Sequence, residues 1–243
     1  MIIYLTSDPG GVWDVDCKPT PRPFKKENGF IKMLRKDVSK YRSYSKAKKC
    51  LIVCASPDDH QTNDERVEAF RKSFKRAFLR FSTIDMCDSR NPKLIDHLSD
   101  YSLIFLLGGH APTQNRFFND IGLKNKISDY TGVLLSLSAG SMNCAKEVYL
   151  LPEEDADFLV PLEDRFVPGL GLTDIQMIPH FQYLSTVEYE GQNLIDDFVL
   201  NESKGHQFTG VCDGSFFRID TTLRKTDFYG EGYIIENESK RPL

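Results

Sequence analysis

The sequence contains none of the cysteine and histidine patterns that bind metal ions in proteins. It has six cysteines and five histidines in 243 residues, but no CxxC pair, no HExxH motif and no other paired ligand spacing. Most of the cysteines lie in or beside apolar segments, where a free thiol behaves as a small hydrophobic side chain. We therefore expect no metal, no cofactor and reduced cysteines.

Long apolar runs and an excess of positive charge are also absent. The longest apolar runs, residues 103–107 and 133–137, are too short to cross a bilayer. The N-terminus lacks the basic region and the apolar core of a signal peptide. The formal net charge of −4 gives no electrostatic reason for binding nucleic acid. These absences predict a cytoplasmic protein that binds neither membranes nor nucleic acids, and they leave its oligomeric state open.

One segment near the N-terminus is basic, in contrast to the chain as a whole. Lysines and arginines recur from Lys25 and Lys26 to Lys49, with only a few apolar residues between them. A nucleic-acid or membrane patch is one interpretation. We favour a solvated helix face, because the apolar stripe beside these residues is thin.

Short apolar runs alternate with helical patterns over the first 150 residues. The predicted strands cover residues 2–6, 51–55, 82–86, 103–107 and 133–137. Residues 64–81 have apolar side chains at helical spacing, with Phe78 on the buried face, and Pro112 opens a further helix. This alternation predicts one α/β domain over residues 1–243, a three-layer sandwich with a mostly parallel central sheet.

A serine directly follows the strand at 133–137, where sheets of this kind carry their active sites. The sequence around Ser138 is Leu-Leu-Ser-Leu-Ser-Ala-Gly-Ser. This is the context of a nucleophile elbow, a tight strand-to-helix turn that lifts the serine hydroxyl above the sheet. The motif differs from G-x-S-x-G at its first position, which is Ser136. A packing turn of small residues is the alternative interpretation.

A glycine pair ends the strand at 103–107. Gly108 and Gly109 permit backbone conformations closed to other residues and let N–H groups approach a ligand closely. A catalytic interpretation makes the N–H groups of Gly109 and Ala139 the two donors of an oxyanion hole. A plain turn is the alternative.

A serine nucleophile needs a base, and histidine suits the task because its unperturbed pKa is about 6.5. His60 and His97 lie in polar stretches typical of surface residues. His180 ends an apolar, strand-like run, and Pro179 restricts the backbone just before it. His110, beside the glycine pair, is the competing candidate.

An acid normally orients the base and stabilises the imidazolium. Asp213 follows another apolar segment and precedes Gly214, although Asp-Gly is also a hairpin turn signal. The remaining candidates are the carboxylates of an acidic loop and one further aspartate: Glu153, Asp155, Asp157 and Asp174.

The order serine, histidine, acid differs from that of α/β-hydrolases, in which the acid precedes the histidine. This order occurs together with five short motifs: the glycine pair, the Ser-Ala-Gly elbow, a Pro-Gly-Leu-Gly-Leu segment at 168–172, the Pro-His-Phe triplet at 179–181 and the Asp-Gly pair at 213–214. On this order and these motifs, the chain resembles the dipeptidase E and cyanophycinase family of serine peptidases. The resemblance covers residues 51–217. It implies the fold of class I glutamine amidotransferases.

The resemblance also implies roles for individual residues. Ser138 corresponds to the family nucleophile and His180 to its base, while Gly109 and Ala139 correspond to the oxyanion donors. Asp213 corresponds to a glutamate of the family triad, and is one methylene shorter. The implied activity is hydrolysis of short peptides, with aspartyl dipeptides as one expected class.

Two features concern specificity. His110 stands where the family usually has asparagine, beside the substrate pocket. A basic residue would bind the carboxylate of an aspartyl substrate, and Arg116 and Arg165 are candidates by position.

Two other interpretations use the same residues. An amidase or esterase would perform acyl transfer at the same site on a different substrate. A non-catalytic, ligand-binding protein with the amidotransferase-like fold would have lost the reaction, and the altered positions Ser136 and Asp213 favour that interpretation.

Overall fold

A computed structural model describes residues 1–9, 29–41, 48–152 and 159–243, in which strands and helices alternate. The strands are β1 (Ile2–Thr6), β2 (Lys49–Val53), β3 (Thr83–Cys87), β4 (Leu103–Leu106), β5 (Val133–Leu137), β6 (Glu147–Tyr149), β7 (Phe166–Pro168), β8 (Met177–Ile178), β9 (Glu188–Tyr189), β10 (Gln192–Asn193), β11 (Gln207–Val211), β12 (Phe216–Asp220), β13 (Lys225–Tyr229), β14 (Gly232–Glu236) and β15 (Ser239–Pro242). The α-helices are α1 (Phe30–Lys40), α2 (His60–Arg76), α3 (Ala111–Asp120), α4 (Leu123–Ile127), α5 (Ala139–Met142), α6 (Phe181–Leu184) and α7 (Leu200–Glu202). Two 3-10 helices (Pro92–Asp100 and Leu162–Arg165) and a π-helix (Leu194–Val199) complete the described elements.

A seven-stranded sheet forms the centre of the protein, with the strand order β13-β12-β1-β5-β4-β2-β3. Strands β1 to β5 are parallel, while β12 and β13 add an antiparallel edge. The helices between successive strands supply the crossovers that parallel pairing requires. Strands β4 and β5 are buried throughout, as is typical of a sheet covered on both faces. The prediction of an α/β fold with a mostly parallel central sheet is confirmed.

Aromatic side chains hold α2 against this sheet. Phe70 and Phe74 of α2 and Phe105 of β4 are fully or almost fully buried. The ring centroid of Phe105 lies 4.9 Å from that of Phe70 and 6.2 Å from that of Phe74, both in edge-on geometry. Because burial of one such side chain stabilises a fold by about 1.5–3 kcal/mol, apolar packing fixes the position of this helix.

A smaller sheet has four strands from the later part of the chain, in the order β15-β14-β11-β8. Strands β8 and β11 are parallel, with Met177 paired to Thr209 and Ile178 to Gly210. His180 lies two residues beyond the end of β8, and Asp213 lies two residues beyond the end of β11. The parallel register therefore brings His180 and Asp213 to the same edge of this sheet.

The helix predicted over residues 64–81 is shifted in the structure. It begins at His60, where the Asp59 carboxylate accepts a hydrogen bond from the Thr62 N–H at 3.2 Å, and ends at Arg76. The prediction that Phe78 lies on the buried face is wrong, since its side chain is 70% exposed. Phe78 adopts a φ of 58°, and the N–H of Leu79 bonds back to Phe74 O at 2.8 Å. This ending turns Phe78 outward and buries Leu79 instead.

The ends of the five predicted strands agree with those of β1 to β5 to within two residues. Helix α3 begins one residue before Pro112. Helix α1 exposes its basic side chains and buries Leu34 and Val38, while Lys25 and Lys26 lie outside the described residues. In the described part of the chain, no helix is long and apolar enough to cross a membrane. The assignment of residues 1–243 to one domain stays a prediction.

Candidate active site

Strand ends from both sheets meet at one place. The end of β1 lies next to Ser138, whose N–H donates to Thr6 O at 3.0 Å and to Ser7 O at 3.2 Å. The same end of β1 receives hydrogen bonds from the smaller sheet, since the N–H of Gly214 donates to Asp8 O at 3.0 Å and the N–H of His180 donates to Ser7 Oγ at 2.6 Å. The end of β1 therefore joins the serine of one sheet to the histidine and aspartate of the other.

The backbone of Ser138 is strained. Its φ of 48° and ψ of −114° belong to a region that residues with a side chain seldom occupy, at a cost of about 1–3 kcal/mol. Hydrogen bonds hold the turn on the helix side, because Ser138 O accepts from the N–H groups of Ser141 at 2.8 Å and Met142 at 3.0 Å. A strained strand-to-helix turn of this kind is what a nucleophile elbow requires.

Glycines allow this turn to lie directly on the end of β4. A Cβ atom at Gly140 would lie 2.6 Å from Leu106 O and 2.8 Å from Leu107 O, too close for any side chain. A Cβ atom at Gly108 would lie 3.2 Å from Ser138 Cβ. The glycine pair and the serine turn are therefore in direct contact, as expected if consecutive strand ends build one site.

Ser136, which departs from the G-x-S-x-G motif, has a structural role. Its buried Oγ donates to Tyr4 O at 3.0 Å and lies 2.8 Å from Ser141 Oγ. Ser141 Oγ in turn accepts from the Thr6 N–H at 3.0 Å. Since buried hydroxyls need partners, these two serines fasten the elbow to β1. The change at this position is compatible with the turn.

The structure brings the three predicted catalytic side chains into one hydrogen-bonded chain. His180 Nε2 lies 3.0 Å from Ser138 Oγ, and His180 Nδ1 lies 2.8 Å from Asp213 Oδ1. The side chains of His180 and Asp213 are 37% and 24% exposed, so solvent and a substrate can reach the pair. His180 itself has a left-handed backbone, with φ 54° and ψ 31°, at the start of α6.

The Asp213 carboxylate accepts hydrogen bonds from three side chains. Besides the imidazole, Ser7 Oγ donates to Oδ1 at 2.6 Å, and Gln182 Nε2 donates to Oδ2 at 2.7 Å. Burial raises the pKa of Asp213, but the hydrogen bond and charge of His180, with the bonds from Ser7 and Gln182, together lower it below its usual value. The carboxylate is thus ionised at neutral pH. It holds the imidazole proton on Nδ1 and leaves Nε2 free to accept the serine proton.

The competing candidates occupy other positions. His110 is exposed, and its Nδ1 is hydrogen-bonded to Thr113 Oγ1 at 2.8 Å. His60 contacts Ser89 Oγ at 2.9 Å. Asp174 is exposed, and the carboxylate beside His180 is that of Asp213. The acidic-loop candidates Glu153, Asp155 and Asp157 lie outside the described residues.

The two candidate arginines differ in their surroundings. Arg165 is 3% exposed, its Nε donates to Val160 O at 3.1 Å, and its guanidinium lies 4.8 Å from the centroid of the Phe198 ring. It also forms an ion pair with Glu202 at 3.4 Å. These contacts engage Arg165 in the core of the smaller sheet. Arg116 is exposed on α3.

Two residues beside the triad, Ser7 and Gln182, were not predicted from the sequence. Ser7 follows β1 directly, so the rule that placed Ser138 after β5 also applied to it. Gln182 lies two residues beyond His180, on the first turn of α6. In the part of the chain that the structure describes, no group of three or more His, Cys, Asp or Glu side chains could hold a metal ion.

Comparisons with known proteins identify the family and the fold of the chain. The family model described as peptidase family S51 matches residues 25–224. The crystal structure of a peptidase from an acI-B1 Actinobacterium matches with a TM-score of 0.66 at 16% identity, covering 100% of this chain and 93% of that chain. A putative peptidase E protein from Listeria monocytogenes EGD-e matches with a TM-score of 0.57 at 17% identity, covering 94% of this chain and 98% of that one. No curated protein sequence matches significantly. At these identities the two structures establish a shared fold.

Proposed function

Since the chain belongs to peptidase family S51 and is a serine-type peptidase, we propose that it hydrolyses short peptides through an acyl-enzyme formed on Ser138. The observation that carries the proposal is the continuous hydrogen-bonded chain from Ser138 Oγ through the imidazole of His180 to Asp213, at 3.0 and 2.8 Å. The strained backbone of Ser138 supports it, because backbone strain of this kind clusters at active sites.

In the proposed reaction His180 Nε2 takes the proton of Ser138 while Oγ forms a bond to the substrate carbonyl carbon. The ionised Asp213 stabilises the imidazolium that results. The carbon–nitrogen bond then breaks, and the imidazolium gives its proton to the leaving amine. Water attacks the acyl-enzyme in the second half, again losing a proton to Nε2, and Ser138 is released with its proton restored.

We assign the oxyanion hole to the backbone N–H groups of Gly109 and Ala139. In the described residues neither group donates to a protein acceptor, so both are available to a ligand. Gly109 has a φ of 153°, and a Cβ atom there would lie 2.6 Å from Ala55 Cβ. Only glycine fits this position, where the backbone lies against Ala55. One such donor contributes about 10²–10³-fold to the rate.

The proposed substrates are short peptides, with N-terminal aspartyl dipeptides tested first. The resemblance to dipeptidase E supports this choice, and a solved structure with the same fold is a putative peptidase E protein. His110 is exposed next to Gly109 and replaces the asparagine usual at this position, so the side-chain preference is expected to differ from that of the family.

The experiment compares the wild-type protein with Ser138→Ala on a panel of aspartyl and other aminoacyl dipeptides, amides and esters. We expect Ser138→Ala to fold and to lose roughly 10⁴–10⁶-fold in kcat. Ser128→Ala is the matched control, since the hydroxyl of Ser128 is exposed and donates to Asn125 O at 3.0 Å. Peptide hydrolysis by Ser138→Ala at the wild-type rate would contradict the proposal, and cleavage of amides or esters but not peptides would assign the same site to a different substrate.

A further inference from the structure

We propose that Ser7 and Gln182 are positioning residues of this peptidase, which together hold the Asp213 carboxylate and the His180 imidazole in the geometry of a working base. The inference rests on the proposed function, since it concerns the same triad. It assigns roles to a residue from the end of β1 and a residue of α6, neither of which touches the reacting atoms.

Ser7 connects two members of the triad through one hydroxyl group. Its oxygen accepts the backbone N–H of His180 at 2.6 Å, and because an N–H can only donate, the serine proton is free for another partner. That partner is Asp213 Oδ1, also at 2.6 Å. Ser7 is fully buried, so water cannot replace either bond. The hydroxyl therefore fixes the distance between the His180 backbone and the Asp213 carboxylate.

The backbone of His180 needs this support. A histidine with φ 54° and ψ 31° lies in the left-handed region, which L-residues leave unless neighbouring contacts hold them there. Ser7 holds the N–H side. On the other side His180 O accepts from the N–H groups of Tyr183 at 2.9 Å and Leu184 at 3.0 Å. Loss of the Ser7 hydroxyl removes the hydrogen bond at the N–H of His180 and leaves only those at its carbonyl oxygen. The imidazole can then move away from Ser138.

Gln182 clamps Asp213 from the solvent side. Its Oε1 accepts the backbone N–H of Asp213 at 2.9 Å, which fixes the orientation of the amide and directs Nε2 at Oδ2, at 2.7 Å. Oδ1 is held by the imidazole and by Ser7, so the carboxylate is fixed at both oxygens. Because Gln182 is exposed, we expect its contribution to be smaller than that of Ser7.

The two residues explain how an aspartate can serve here. An aspartate has a short reach, so its carboxylate lies wherever the backbone at 213 and the groups around it place it. Two donors and a backbone bond define that place, and their loss would leave the carboxylate free to rotate away from Nδ1. A misplacement of about an ångström can cost on the order of 10²-fold in rate.

The test measures kcat and KM on the best peptide and the second-order rate of Ser138 labelling by a fluorophosphonate, each across a pH range. Four variants are compared. Ser7→Ala and Gln182→Met remove hydrogen bonds, Ser7→Thr keeps the hydroxyl, and Gln182→Glu keeps the side-chain shape but replaces the donor to Oδ2 by an oxygen. Gln61→Glu is the matched control, since Gln61 is an exposed helical glutamine that contacts Glu65. Labelling does not depend on peptide specificity, so it reports the serine–histidine pair directly.

We expect Ser7→Ala to lower both rates on the order of 10²-fold and Gln182→Met to lower them about tenfold, with KM little changed. Ser7→Thr keeps the hydroxyl and should recover most of the rate. Gln182→Glu adds a carboxylate that favours the protonated imidazole, so the acidic limb of both profiles should move to higher pH by about half a unit to one unit. Cys212, a further titratable group beside Asp213, is the same in every variant.

The outcomes separate this inference from the proposed function. Wild-type labelling at Ser138 with unchanged rates and unchanged pH profiles in folded Ser7→Ala and Gln182→Met would overturn the positioning roles and leave the function intact. Rate losses that only follow the unfolded fraction, measured by thermal unfolding, would overturn them as well. If Ser7→Ala does not fold, the rates and pH profiles of the two Gln182 variants test the positioning roles. A wild-type protein that neither labels nor cleaves peptides would instead overturn the proposed function.

Discussion

Replacing Asp213 by asparagine tests how the triad carboxylate works. The change removes one charge and turns one oxygen into an NH₂ group, which must face a donor wherever it points. Facing inward, it would meet the imidazole Nδ1–H and the Ser7 hydroxyl, both of which now donate to Oδ1. Facing outward, it would meet Gln182 Nε2, which now donates to Oδ2. Gln182 is exposed and can turn to water, whereas Ser7 is buried, so we expect the outward orientation.

The magnitude follows from that orientation. With the NH₂ group outward, the remaining oxygen still accepts from Nδ1–H and Nε2 remains the base, so the variant loses mainly the charge. Two unit charges about 4 Å apart attract by about 4 kcal/mol at an effective dielectric constant near 20, which corresponds to about 10³-fold in rate. The pair is partly exposed, so the expected loss in kcat/KM is about 10²–10³-fold. An inward NH₂ group would force the wrong tautomer and cost about 10⁴-fold.

A second variant makes the assay decisive. In Asp213→Asn combined with Gln182→Glu, the new glutamate can accept both the asparagine NH₂ and the backbone N–H at 213, and it restores a negative charge nearby. Steady-state kinetics on one substrate should therefore show the double variant at least about tenfold faster than Asp213→Asn alone. A loss below tenfold in the single variant would refute the role of Asp213. A loss of about 10⁴-fold that Gln182→Glu does not relieve would refute the assigned orientation.

Two further predictions concern stability. Gly140→Ala places a Cβ atom 2.6 Å from Leu106 O, so the free energy of unfolding in urea should fall by about 1–3 kcal/mol; an unchanged midpoint would contradict the close approach of the elbow to β4. Burial raises the pKa of Asp37, but bonds from Arg218 Nε at 2.8 Å and Tyr4 Oη at 2.7 Å lower it overall. The stability from this group is therefore present above about pH 4 and is lost as the pH falls through the lowered pKa. Asp37→Asn should be less stable at neutral pH and lose less stability on acidification; equal acid sensitivity would contradict this.

The parallel sheet could be predicted because its strands are continuous apolar runs with glycine or small residues at their ends. The same pattern placed Ser138 and Gly109 at neighbouring strand ends, and the structure puts the glycine pair in contact with the serine turn. The positions of His180 and Asp213 were harder to predict from apolar runs. Strand β8 has two residues, and its pairing with β11 depends on contacts between distant segments. Each residue was a candidate because it follows an apolar run, and the resemblance to dipeptidase E favoured it over its competitors.

The features that the sequence did not predict all depend on long-range hydrogen bonds or on helix ends. Ser136 weakens the match to the G-x-S-x-G motif. Its hydroxyl, however, donates a hydrogen bond to Tyr4 O in β1, more than a hundred residues away in the sequence. The role of Ser7 depends on partners 173 and 206 positions along the chain. Phe78 fits a helical face by spacing, but α2 ends two residues earlier. Periodicity does not encode where a helix ends or which distant oxygen a hydroxyl reaches.

Mapping the adduct of a fluorophosphonate probe by mass spectrometry tests the central claim most directly. The wild-type protein should carry one adduct, on Ser138, and His180→Ala should label at least about 10³-fold more slowly, because the hydroxyl then has no base to take its proton. An adduct on another residue, or undiminished labelling of Ser138 in His180→Ala, would contradict the account.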